Sequence, residues 1–181
     1  MRAYGAVMCI WWGAYFLAKK KDLAQVCANK GISIIQGEYW RFFTGLFLHV
    51  NLLHLLLNSI AFYWVCAFLE TRTTSFKMIV FSLTAATLSN VCFSILYRKS
   101  ISVGGSPIVF AMIGLIVIYA LFGKDTRKLD IHSAYGRWIL GFAIFGNIPI
   151  FSGNSSTLII HSISLILGAV IAFVGLRLGI F

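Results

Sequence analysis

Apolar residues in this chain gather into six long runs separated by short polar stretches. A helix that spans a bilayer needs about 20 predominantly apolar residues, with a range of about 17–25. Runs over about 3–18, 51–69, 76–97, 106–123, 136–152 and 157–177 therefore predict six transmembrane helices. Gly, Asn and Pro interrupt the end of the fifth run. The first run is short enough to resemble a signal peptide. It lacks a small-x-small cleavage site before Lys19, and Lys19–Lys21 then stops it, so it is expected to remain as a transmembrane helix.

Two connecting segments differ in character. The segment over 19–50 carries GEYWRFF (37–43), an amphipathic, aromatic stretch. Trp and Tyr favour the membrane interface, so this segment is expected to lie on or partly in the membrane surface. The segment over 123–136 (GKDTRKLDIHSAYG) reads as a charged, solvated loop in which His132 is exposed.

Composition agrees with the pattern. Of 181 residues, 60% are hydrophobic and 11% charged, against about 45–50% and about 25% in soluble domains. The chain is expected to be a single all-α transmembrane domain over 1–181. Two prolines and five acidic residues exclude a disordered chain. The net charge of +10 suggests nucleic acid at first sight, but the basic residues sit in short turns and form no stripe or reading motif. Contact with anionic lipid headgroups is the plainer account. Orientation is close to balanced: an inside N-terminus places eight basic residues in the cytoplasm against seven opposite. Cys9, Cys27, Cys66 and Cys92 show no CxxC or Cys/His ligand spacing, so neither a zinc site nor a disulfide framework is expected.

Candidate chemistry lies in polar residues inside apolar runs, where such groups are expensive and point to function. His54 and Asn58, four apart, share one helical face and can both donate hydrogen bonds. They suit an oxyanion hole, or equally interhelical polar glue. His49 is rotated by roughly 140° from His54 on a continuous helix. A helix starting after it, with Asn51 as N-cap, would leave His49 at the mouth in a structural hydrogen-bonding role. Ser106 follows Gly104-Gly105 and precedes Pro107. It reads as a nucleophile or as the N-cap of the fourth helix. His161 is the only ionisable group of the sixth run before Arg177, and Ser164, Gly168 and Ala172 continue its stripe. Small residues at that spacing let helices approach closely, and Ala111 and Gly114 offer the fourth helix a matching surface. Such packing would bring His161 to Ser106. With no acidic residue inside a run, the unit would be a Ser-His dyad. No metal site is indicated, since HExxH and paired carboxylates are missing.

These residues resemble the rhomboid family of intramembrane serine proteases over about 37–175. Trp40 and Arg41 in GEYWR look like its first-loop element, and HVNLLHLLLN (49–58) looks like its H-x4-H-x3-N pattern. GGSPIVFAMIG (104–114) is similar to its GxSGxxxAxxG signature, and His161, Ser164 and Gly168 meet its final HxxGxxxG. The resemblance implies a six-helix bundle with a short central fourth helix and an interfacial first loop. It implies Ser106 as nucleophile and His161 as base. His54, Asn58 and the Ser106 amide would hold the oxyanion, with Gly104 and Gly105 beside them. Trp40 and Arg41 would lie by a lateral substrate gate. Single-span membrane proteins would be the substrates, without a cofactor, in a multi-pass protein of the cell membrane. Pro107 and Ser164 replace family glycines, and Thr74 stands where a glycine is usual after the Glu70-x-Arg72 turn. Because the first two lie near the dyad, an inactive, client-binding protein is the alternative. A transporter would require paired repeats or several charges inside spans, and the chain has neither.

Overall fold

The computed structural model describes residues 3–18, 23–123, 129–148 and 155–181. Its elements are α1 (Ala3–Ala18), α2 (Leu23–Cys27), β1 (Asn29–Lys30), α3 (Ser33–Gln36), α4 (Arg41–Thr44), α5 (Leu52–Leu69), α6 (Ser75–Leu96), β2 (Ile101–Ser102), α7 (Ser106–Phe122), α8 (Ala134–Phe145) and α9 (Ser155–Arg177). A short 3-10 turn, Gly45–Phe47, extends α4. Helices α1, α5, α6, α7, α8 and α9 correspond to the six apolar runs.

The fifth run departs from expectation. Its helix ends at Phe145, well before residue 152. Gly146 and Asn147 form a turn ahead of Pro149, which disfavours helical backbone in the residue before it. Residues 149–152 lie outside the described residues. α5, α6 and the Ser156–Arg177 stretch of α9 are long and apolar enough to cross a membrane; α1, α7 and α8 are shorter apolar helices. The protein is an integral membrane protein built as an α-helical bundle.

Helix α7 is the centre of that bundle. Every residue from Ser106 to Ile116 is buried. A helix apolar on all sides buries its whole circumference, and α7 shows no polar face to keep in water. Against it packs α9, through small residues on both helices. A β-carbon on Gly114 would lie 2.4 Å from the Leu165 carbonyl oxygen, and one on Gly168 would lie 2.3 Å from that of Ala111. The two backbones touch, as the small-residue stripes predict. Ser164 fits this contact because it is fully buried and its hydroxyl donates to the Ile160 carbonyl one turn back, at 2.7 Å. On the other side of α9, Leu158, Ile166, Val170 and Val174 are exposed at helical spacing and face the hydrocarbon.

The first loop is folded, and Arg41 is its hub. The residue is 5% exposed, and its guanidinium donates to the Gln25 carbonyl at 2.6 Å, the Ala28 carbonyl at 3.3 Å and both Glu38 carboxylate oxygens at 2.7 and 3.0 Å. Hydrogen bonding to Arg41 holds the Glu38 carboxyl below its ordinary pKa. The loop is fastened to α6 by Asn90, whose Nδ2 donates to the Phe42 carbonyl at 2.8 Å, and by Ser94, whose hydroxyl donates to Asn29 Oδ1 at 3.0 Å. β1 and β2 form a two-stranded antiparallel ribbon, pairing Asn29 with Ser102 and Lys30 with Ile101. The Gly104 N–H also donates to the Gly45 carbonyl at 3.0 Å. In this way the loop fixes the glycine turn that leads into α7.

Candidate active site

Helix α5 begins after His49. Asn51 caps it, its side chain accepting the His54 N–H at 2.8 Å. That start frees His49 from the helix and leaves His54 and Asn58 on one α5 face. Asn58 Nδ2 donates to the His54 carbonyl at 3.0 Å. Its amide nitrogen carries a second N–H.

The turn ahead of α7 is shaped around three rings. Gly104 has φ +132°, a backbone that favours glycine, and a β-carbon there would stand 2.7 Å from His54 Cε1. At Gly105 a β-carbon would meet Trp11 Cζ2 at 2.1 Å. The Gly105 N–H donates to His49 Nε2 at 3.4 Å. Burial, reinforced by the neighbouring His54, pushes the His49 pKa down to about 3, so its ring is a neutral acceptor at ordinary pH. Trp11 is fully buried against His49 and Phe62, with ring centroids 5.2 and 5.0 Å away.

Ser106 does not cap α7. Gly105 occupies the cap position without a side-chain hydrogen bond, and Ser106 is the first helical residue. Its hydroxyl is engaged elsewhere: Oγ lies 2.8 Å from His161 Nε2. The close contact of α7 and α9 brings these groups together across 55 residues of sequence. Both are buried, at 8% and 3% exposure. The His161 ring stacks on Phe110 with centroids 4.1 Å apart and planes 15° from parallel. Its other nitrogen, Nδ1, lies 2.9 Å from Asn147 Oδ1.

Ser106, His161, His54 and Asn58 line one cavity of about 810 Å³, walled by apolar residues of α5 and α8 such as Leu57, Trp138 and Phe142. Gly104, Gly105 and His49 sit behind that wall. Trp40 and Arg41 do not line it; Trp40 is exposed and its indole N–H donates to the Val26 carbonyl at 3.3 Å. Among the described residues no cluster of His, Cys, Asp or Glu is arranged to hold a metal ion. Sequence reasoning missed Trp11, Phe110 and Asn147. Trp11 and Phe110 carry no sequence signal, since they look like any core aromatic. Asn147 did carry one, a polar residue at the end of an apolar run, but it reads there as an interruption of the helix.

The rhomboid domain family matches residues 36–178. "Rhomboid protease GluP" of Bacillus subtilis (strain 168) is 29% identical over 97 residues, which is 54% of this chain and 19% of that protein. "Rhomboid protease GlpG" of Salmonella choleraesuis (strain SC-B67) is 36% identical over 56 residues, 31% of this chain and 20% of that protein. The chain thus spans about a fifth of the length of the curated relatives it matches. The family match runs from the first loop to the end of α9 and so takes in the glycine turn, the α5 histidine face and the α7–α9 contact alike; on that extent and that architecture, this chain belongs to the rhomboid family.

Proposed function

We propose that this protein is an intramembrane serine endopeptidase that cleaves single-span membrane proteins with a Ser106-His161 dyad. The observation that carries the proposal is the 2.8 Å hydrogen bond between Ser106 Oγ and His161 Nε2 inside a cavity walled by two membrane helices. It lies within the reach expected of a nucleophile and its general base. The relatives' names, rhomboid proteases, point the same way.

In this mechanism Ser106 Oγ attacks the scissile carbonyl while His161 Nε2 takes its proton. The same nitrogen then delivers the proton to the leaving amine. Negative charge develops on the carbonyl oxygen near the start of α7. There the Ser106 N–H has no intrahelical acceptor and the helix dipole favours an anion. The amides of Gly104 and Gly105 are committed to Gly45 and His49, so Ser106 supplies the first free amide. His54 and the second N–H of Asn58 complete the donor set. Pro107 fits this scheme. It stands within the first helical positions, where an N–H would lack an intrahelical partner in any case. The substrate would enter between α5 and α8, and the protein would work in the cell membrane with its basic turns against anionic headgroups.

Reconstituted in vesicles, the full chain should cleave a model transmembrane substrate, and Ser106→Ala should abolish cleavage. A Ser106→Ala protein as active as the wild type would overturn the mechanism. Fluorophosphonate labelling separates a protease from a protein that merely binds clients, because binding needs no activated serine.

A further inference from the structure

We infer that Asn147 is a positioning residue that holds His161 in the one tautomer able to act as base, making the unit a Ser106–His161–Asn147 chain. The inference rests on the protease proposal above but is carried by its own geometry. Asn147 Nδ2 donates to the Ala143 carbonyl at 2.7 Å. Turning the amide over would set two acceptor oxygens against each other, so this bond fixes which end of the amide faces away. The end facing His161 Nδ1, at 2.9 Å, is the oxygen. An oxygen there can only accept, so Nδ1 must carry the hydrogen. A neutral imidazole carries one ring hydrogen, which leaves the lone pair on Nε2, 2.8 Å from Ser106 Oγ. The serine hydroxyl therefore donates to Nε2, the direction in which its proton must leave.

Two further features suit the role. Phe110 stacks on the imidazole and fixes its plane, while Asn147 fixes its rotation within that plane. As His161 gains a proton from Ser106 it becomes an imidazolium, and a bound amide oxygen stabilises that charge without becoming charged itself. Asn147 thus stands where a triad would place an acid. Among the described residues Glu38, Glu70 and Asp130 are outside the cavity lining, and the chain holds only five acids. Asn147 belongs to the turn after α8, so the helix that walls the cavity also supplies the third group.

Two measurements on the full chain in vesicles test this. The first is the 15N spectrum of the His161 imidazole in the wild type, assigned by its loss in His161→Gln. A ring protonated at Nδ1 and free at Nε2 supports the chain of three, and the opposite tautomer overturns it. The second is the rate of fluorophosphonate labelling at Ser106 in Asn147→Leu, which keeps the branched shape and removes both polar atoms. Labelling should slow by roughly 10–10², and the 15N signals should move toward a mixture of tautomers. An unchanged rate together with an unchanged tautomer overturns the inference. If Asn147→Leu fails to fold, the wild-type spectrum still decides. If wild-type Ser106 neither labels nor supports cleavage, the protease proposal falls, and the tautomer continues to judge the role of Asn147 by itself.

Discussion

Gly168→Ala adds one methyl group, and its consequence should appear two turns away at the Ser106–His161 hydrogen bond. The new β-carbon would stand 2.3 Å from the Ala111 carbonyl oxygen and 2.6 Å from the Ala111 Cα. Both are backbone atoms, so no side chain can swing aside; the helices must separate. Reaching ordinary contact requires a retreat of roughly 1 Å. Gly168 lies seven residues past His161, and Ala111 five past Ser106, on helices of fixed rise. A rigid retreat of that size would stretch the 2.8 Å Ser106–His161 bond to roughly 3.8 Å, beyond hydrogen-bonding reach. Overpacking of this kind costs about 1–3 kcal/mol of stability. Misplacing a catalytic group by about 1 Å costs on the order of 10² in rate. The assay is substrate cleavage and fluorophosphonate labelling in vesicles, beside thermal melting in detergent. Gly13→Ala is the control, since no atom lies within 4 Å of its β-carbon position. Wild-type labelling and melting in Gly168→Ala would refute the claim that backbone contact of α7 and α9 sets the Ser106–His161 distance.

Other expectations follow from the same geometry. His54→Ala and Asn58→Ala should each lower cleavage by roughly 10²–10³, the usual effect of losing one oxyanion donor; loss of substrate binding alone, at unchanged turnover, would contradict that role. Glu38, held below its ordinary pKa by Arg41, binds protons more weakly in the folded protein than in the unfolded chain. Its contribution is present above the ordinary carboxylate pKa and is lost as pH falls through the folded value. The melting temperature should therefore decline below about pH 4.5, and Glu38→Gln should flatten that decline; identical profiles would exclude the Arg41–Glu38 pair as its source.

Much of the architecture was readable from one dimension. Six apolar runs gave six helices because backbone groups among apolar side chains must satisfy one another within the helix, and that demand does not depend on neighbours. Asn51 as the cap of α5 followed from local chemistry, as did the small-residue stripes of α7 and α9. Where the reading failed, neighbours decided. Ser106 looked like a helix cap because serine is a common one, but the hydroxyl went to His161 once α9 lay within reach. The fifth helix looked longer because its apolar composition continues past Phe145, while the turn at Gly146 and Asn147 stops it. Arg41 was expected in the first loop near the site, but its partners, the Gln25 and Ala28 carbonyls and the Glu38 carboxylate, could be named only from the folded loop.

The sequence by itself determined that this chain enters a membrane, which of its runs become apolar helices, and which polar groups travel with them. Those properties depend on transfer free energies and local backbone preference, which are summed along the chain. Only the tertiary structure decided how the polar groups face one another. Ser106, His161 and Asn147 come from three separate elements: the 2.8 Å contact exists because two glycine-bearing helices pack backbone to backbone, and the 2.9 Å contact because the turn after α8 reaches α9. A difference of 1 Å at the α7–α9 contact separates a hydrogen-bonded pair from two isolated polar side chains, and distances on that scale are set by packing across the bundle rather than by any local run of residues.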